Sequence, residues 1–354
     1  MTSSPPSANS GVEPGPDLRD RQPSTAVGVG DPHASVADHV VRSLHRIWED
    51  KAVGVISSAY DQNVLAHQTG ADEYGRAPVA QTVIQRLAAF PDLRWFGEEV
   101  ISTSDGDGVF LSHRVTSTGH HLGHGVYGPP TGRRVQRREI TQCLVRAGQI
   151  QEVWSVQDEL ATVRQLGLDE WALARALAQG EADLGGLPAL AGFTGLSVHA
   201  QWEAPLTEWE GQPFDVTGGL EMLYHHIWNG RMLNMIGQVY APNAVISVPG
   251  HRRLRGPQAL TRYVLEWLAA FPDGVMQLEH VASPGPAAHG GRVAARWTFQ
   301  GTHTGPGVYG PPTGRHVQIL GVSHFDVEEG RVTREDMVWN EFALLKQLCW
   351  PSRA

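Results

Sequence analysis

Apolar residues recur with a helical period in SVADHVVRSLHRIWED, where Val36, Val40, Leu44, Ile47 and Trp48 fall on one face. Ser35 and Asp38 resemble a capping box at its start. The same pattern returns through Leu220, Leu223, Ile227 and Trp228, and a short second helix is expected to end near Tyr240. A third helix is written in GPQALTRYVLEWLAAFP, with Leu260, Val264, Trp267 and Leu268 on one face and Pro272 as its stop. Its counterpart runs from about Pro78 to Phe90. Beyond the third helix the apolar period shortens to that of a strand: RVAARWTFQGTH and RHVQILGVSHFDVEEG alternate, and RVTREDMVWNEF forms one more strand. Ala147-Gly148 and Glu329-Gly330 sit where hairpin turns are needed, because glycine tolerates positive φ. Helices first and antiparallel strands afterwards predict an α+β domain, a curved sheet wrapped against three helices.

The pattern is written twice. GVYGPPTGR occurs at residues 125–133 and again at 307–315. HRIW (45–48) matches HHIW (225–228), Tyr60 meets Tyr240, and LAAFPD recurs at 87–92 and 268–273. Farther on, Arg114 pairs with Arg296, His121 with His303, and Asp158 with Asn340. The spacing drifts by single residues, as loops allow, so the chain is expected to hold two copies of one domain, residues 34–168 and 215–350. The shared phrase reads as a stiff loop between two long strands, with Tyr127 and Tyr309 at a pocket lip. Residues 1–33, rich in Pro, Ser and Gly, read as a disordered tail. Residues 169–214 combine a helical DEWALARALA with an irregular apolar stretch and are expected to pack across the domains.

Composition narrows the function. With 354 residues, 41% hydrophobic and 18% charged, the chain suits two soluble globular domains. A net charge of −9 argues against a nucleic-acid footprint, and no apolar run is long enough for a membrane span. Cys143 and Cys349 occupy unrelated places in the two copies, so neither a disulfide framework nor a metal knuckle is implied and a cytoplasmic setting is expected. Seventeen histidines include His120, His121 and His124, but the second copy keeps only His303 of these, so no metal site is expected. No glycine-rich loop joins a strand to a helix, and no nucleotide cofactor is expected.

GTHTGPGVYGPPTGRHV, with VWNEFALLKQL after it, and TGHHLGHGVYGPPTGRRV, with QIQEVWSVQDELATVRQLG, resemble the SnoaL-like polyketide cyclase family, also called ester cyclases. The resemblance covers both copies. It implies the cone-shaped α+β fold of nuclear transport factor 2, with a deep pocket between helices and sheet. It also implies cofactor-free intramolecular aldol closure of polyketide esters, with a pocket Asp as acid/base. The same fold hosts dehydratases, isomerases, hydrolases and modules that only bind. Because single-domain relatives commonly dimerise through their sheets, an intramolecular pseudo-dimer is implied; any higher oligomer stays open.

Aldol closure needs a base for the proton alpha to a carbonyl and donors for the enolate oxygen. Asp158 matches the hallmark acid and Trp154 the hallmark Trp, and their spacing on a continuous strand would put both on one face. His121 matches the hallmark His; Arg114 leads to it, with pairing to a sheet carboxylate such as Glu139 as its alternative role. His67 stands where the family often places a pocket His. In the second copy Asn340 replaces the acid, while Asp336 takes the place of Trp154. Either the acid moved within one pocket, or that copy kept only binding or packing. Trp48, Trp228, Tyr60 and Tyr240 recur as core or pocket walls. The candidates are thus Asp158 and His121 for catalysis, and Trp48, Tyr60, His67, Arg114, Trp154, Trp228, Arg296, His303, Asp336 and Asn340 for binding a small apolar or aromatic metabolite. The rival reading is a binding protein without turnover.

Overall fold

The structure is a computed structural model that describes residues 32–69, 71–184, 219–220, 223–284 and 290–351. All but the end of the expected tail, and most of the linker, lie outside the described residues. The first copy begins with α1 (Pro32–Trp48) and α2 (Ile56–Ala59), which lead into β1 (Tyr60–Gln68) and β2 (Ala71–Tyr74). After α3 (Arg76–Ala89) come four strands, β3 (Arg94–Asp105), β4 (Gly108–His120), β5 (Arg134–Arg146) and β6 (Gln149–Gln157), then α4 (Glu159–Gln165). From the linker only α5 (Glu170–Asp183) is described. The second copy starts in a π-helical stretch, Leu223–Asn229, followed by α6 (Ile236–Val239), β7 (Tyr240–Val248), β8 (Arg252–Arg255) and α7 (Gly256–Ala270). It closes with β9 (Val275–Ala282), β10 (Gly290–Thr302), β11 (His316–Glu328), β12 (Arg331–Trp339) and α8 (Glu341–Leu348).

Each copy builds a six-stranded sheet, in the orders β2-β1-β6-β5-β4-β3 and β8-β7-β12-β11-β10-β9. The α+β expectation holds with one amendment: the sheets are mixed, because β1 runs parallel to β6 and β7 parallel to β12. β1 escapes the alternation test because its pairing slips register between Tyr60 and Leu65, which breaks the two-residue period. At the hairpins, Ala147 and Gly148 both take positive φ (48° and 75°), as do Glu329 and Gly330 (50° and 73°), the geometry that suits the twist of paired strands.

One face of each sheet holds its own helices and the other meets the opposite sheet. Ile101, Phe110, Ile140, Trp154 and Val156 of the first copy form one apolar cluster with Ala282, Ala294, Leu320, Val322 and Val338 of the second. This double coverage is why β4 and β11 are buried along nearly their whole length. Around the dry patch the seam is ionic. Arg114 reaches Asp336 at 2.9 Å, Arg138 reaches it at 3.3 Å, and Arg292 reaches Glu99 at 3.3 Å. Helix α5 packs on α8, where Lys346 pairs with Glu181 at 2.8 Å. Among the described residues no helix is long and apolar enough to cross a membrane.

Candidate functional site

The cone of the first copy is open. Its walls are Leu44 and Trp48 from α1, Tyr60 and Ala66 from β1, Val79 and Val83 from α3, and Trp95 from β3; they enclose a cavity of about 90 Å³ that opens to solvent at its mouth. Arg86 enters from the apolar side of α3. Its Nη1 donates to Glu139 Oε2 at 2.6 Å and its Nη2 to Gln157 Oε1 at 2.7 Å, while the guanidinium carbon stands 4.6 Å from the Trp48 ring centroid. Arg137 also donates to Gln157. Burial raises the Glu139 pKa, but the charges of Arg86 and Arg137 outweigh it and hold the carboxyl below its usual range. Glu139 is therefore an ion, and among the described residues its second oxygen, Oε1, lacks a hydrogen bond of ordinary geometry. A charged pair under an aromatic ring gives the pocket a polar floor.

At the mouth His67 is clasped between carboxylates: Nδ1 lies 2.8 Å from Asp72 and Nε2 2.8 Å from Glu152. Desolvation lowers its pKa, and hydrogen bonds to Glu152 and Asp72 more than reverse this, leaving it raised. Its ring stacks on Trp154 at 5.1 Å. Across the mouth stands Asn340, which belongs to the second copy.

Of the residues the sequence singled out, Trp48, Tyr60, His67 and Asn340 line this pocket. Asp158 and Trp154 do not share a face in it. The strand stops at Gln157, and Asp158 is the N-cap of α4, its Oδ1 accepting the Ala161 N–H at 3.2 Å. The same carboxylate accepts the backbone N–H of Gly250 at 2.9 Å and of His251 at 3.2 Å, across the seam. Trp154 points at the second sheet, where the Arg296 guanidinium covers it at 3.7 Å. Arg296 also pairs with Glu279 at 2.9 Å, and Arg114 pairs with the sheet carboxylates Glu98 at 2.9 Å and Glu99 at 3.3 Å as well as with Asp336, and not with Glu139. Asp336 sits at the seam among Arg114, Arg138 and Arg334, not in a cone. His121 and His303 hold their rim loops, Nδ1 accepting the Thr131 N–H at 3.2 Å and the Thr313 N–H at 3.3 Å. Tyr127 and Tyr309 are buried, donating to Glu159 at 3.2 Å and Glu341 at 3.0 Å.

One further cluster has catalytic geometry without access. His324 lies 2.7 Å from Ser112 Oγ through Nε2 and 2.9 Å from Glu99 through Nδ1. Ser112 is wholly buried and also accepts from the Gln142 amide at 3.2 Å, so the relay ties the sheets together.

Among the described residues the second cone is filled. Where the first has Arg86, Glu139 and Gln157, the second has Trp267, Gly321 and Trp339 at matching positions. Trp267 packs edge-on against Phe299 at 4.6 Å, Trp339 at 4.7 Å and Trp228 at 6.0 Å. Trp297 lies over Gly321, where any Cβ would collide with its ring. Glu335 is buried in this aromatic mass, accepting from Tyr240 at 2.7 Å and Ser323 at 2.9 Å. Burial pushes its carboxyl up to about 7, against the pull of those two donors. The folded state thus binds this proton more tightly than the unfolded chain. Its contribution is fully present at acid pH and is lost as pH rises from the ordinary glutamate value to about 7. Urea unfolding across that window should show wild-type stability falling by roughly 3 kcal/mol relative to Glu335→Gln. A flat difference curve would refute this.

Comparison with known proteins follows the same division. A family model for the SnoaL-like polyketide cyclase matches residues 38–166 and again 220–348. No curated protein matches the chain. Solved structures similar to it include a SnoaL-like polyketide cyclase of Agrobacterium tumefaciens strain C58, at 27% identity over 37% of this chain and 97% of that one (TM-score 0.31). TsrD of Streptomyces laurentii is 18% identical over 38% of this chain and 96% of its own (TM-score 0.34). Wild-type IdmH of Streptomyces antibioticus is 20% identical over 37% of this chain and 99% of its own (TM-score 0.33). Matched twice by one family model over most of its length, the chain belongs to the SnoaL-like polyketide cyclase family, as two copies in tandem.

Proposed function

We propose that the first domain's pocket performs cofactor-independent acid/base chemistry of the ester- and polyketide-cyclase type on a small, largely apolar or aromatic metabolite. The observation that carries this reading is the Arg86–Glu139 pair on the floor of an aromatic-walled pocket. In an aldol closure a base takes the proton alpha to one carbonyl, and the enolate carbon then attacks a second carbonyl, whose oxygen ends protonated. Glu139 takes the base role and Arg86 holds the enolate oxygen. A carboxylate bound to arginine is a weak base in the empty pocket. A substrate oxygen that draws the guanidinium away removes that counter-charge, and burial then raises the carboxyl toward the range a general base needs. Asp158, given its place, positions α4 and the seam. We propose further that the two sheets form an intramolecular pseudo-dimer in which the filled domain supports the open one.

The test is turnover of aromatic polyketide esters by Glu139→Gln, which keeps the shape and the acceptor for Arg86. Turnover is expected to fall by about 10²-fold or more, with ligand affinity within a few-fold. Unchanged turnover would sink the base assignment. A second reading, a binding pocket without turnover, draws on the place of Asp158 outside the pocket. It predicts retention of such esters and conversion of none by wild type.

A further inference from the structure

The pocket of the first domain is not closed by the first domain alone. Its lining passes from Gln68 and Thr69 at the end of β1, along Ser155 and Val156 of β6, to Asn340 of the second copy. Val156 also belongs to the apolar cluster between the sheets, and Thr69 Oγ1 donates to the Leu320 carbonyl at 3.4 Å, so the mouth lies on the seam.

Asn340 is fixed there from two sides. Its Oδ1 accepts the Ala343 N–H at 2.9 Å as the N-cap of α8, and its Nδ2 donates to Glu159 Oε2 at 2.7 Å. Glu159 is held in turn by the Tyr127 hydroxyl of the rim loop, at 3.2 Å. A carboxylate at position 340 would face Glu159 at the distance of that hydrogen bond, two like charges in contact, so the amide suits this place as an acid does not. The matching acid, Asp158, faces backbone N–H groups instead. A primary amide has two N–H donors and two acceptor lone pairs. Among the described residues the two contacts use one of each, leaving one N–H and one lone pair on a side chain that borders the pocket.

We infer that Asn340, supplied by the filled second domain, is a ligand-contacting residue that sets specificity at the mouth of the first domain's pocket. Each chain then has one composite site, and its ligand carries oxygen functions at both ends. One meets Arg86 on the floor, and the other, a hydroxyl or carbonyl, meets Asn340. The inference rests on the reading of this pocket as a small-molecule site, and it does not depend on turnover.

The experiment measures binding with two probes, methyl 2-naphthoate and methyl 6-hydroxy-2-naphthoate, by calorimetry, with native mass spectrometry for stoichiometry. The full-length wild type is compared with Asn340→Ser, which keeps a good N-cap for α8 but is too short to reach the ligand. Wild type is expected to prefer the hydroxy ester by about tenfold, with one ligand per chain, and the preference in Asn340→Ser to fall to near one. An equal preference in both proteins, or a second ligand per chain, overturns the role of Asn340 and leaves the pocket reading standing. Failure of wild type to bind either ester overturns both. Turnover lost in Glu139→Gln with the probe preference intact would separate the chemistry from this contact.

Discussion

Trp267→Ala is expected to destabilise the second domain by about 3–5 kcal/mol, the range for truncating a fully packed tryptophan. The residue is buried and touches Trp228, Phe271, Phe299 and Trp339, so its removal leaves a hole lined by rings that are held in place by one another. Collapse cannot fill it, because Trp297 is already pressed against the backbone at Gly321. Chemical denaturation read by tryptophan fluorescence would measure the loss. An apolar cavity of this kind stays dry and takes up aromatic solutes, so indole should restore part of the stability. Trp267→Arg should be no milder, although arginine is what the first copy carries there. Its partner Glu139 has become Gly321, and Glu335 in the same core is already held by Tyr240 and Ser323, so a guanidinium buried there is costly. A loss below about 1 kcal/mol for Trp267→Ala would mean that the second cone is not the tight aromatic core described above.

Arg114→Ala is expected to cost a comparable amount, about 3–5 kcal/mol, for an electrostatic reason. This guanidinium binds Glu98 and Asp336 at 2.9 Å each and Glu99 at 3.3 Å, with only 12% of its side chain exposed. Deleting it removes the counter-charge that Glu98, Glu99 and Asp336 share, leaving Arg138 and Arg334 beside Asp336 and Arg292 beside Glu99 to offset their repulsion. Removing both Arg114 and Asp336 should cost less than the two single losses added together, which a double-mutant cycle would show. The pH signature runs opposite to that of Glu335. Burial raises Asp336, but Arg114, Arg334 and Arg138 outweigh it and hold the carboxyl below its ordinary value. Its contribution is therefore present above the ordinary aspartate range and is lost as pH falls through the depressed value. Ligand affinity of the folded Arg114→Ala protein should not change, since the residue lies at the seam and not in the pocket. An affinity loss on the scale of the stability loss would return Arg114 to the binding site.

Much of the site could have been read from the repeat itself. Val79, Val83 and Arg86 share a helix face, so a charge interrupts an apolar stripe where the second copy continues it with Trp267. The exchange of Gln157 for Trp339 and of Glu139 for Gly321 tells the same story: polar floor in one cone, rings in the other. Hallmark matching missed this because it followed Asp158 and Trp154 along an assumed strand. The strand ends one residue before the acid, and the turn into α4 carries Asp158 to a helix cap. Periodicity stops meaning anything where the element that defines it stops.

By itself the sequence determined the duplication, the α+β class of each copy, the third helix and the long strands with their hairpin turns. These depend on local spacing and on residue types a few positions apart, which the chain carries in plain order. Only the tertiary structure decided which cone is open, which way Trp154, Arg114 and Asp336 point, and that Asn340 reaches the other copy's pocket. Those outcomes depend on volumes and charges brought together from strands far apart in sequence and from two domains. A cavity is what remains after all of them have packed.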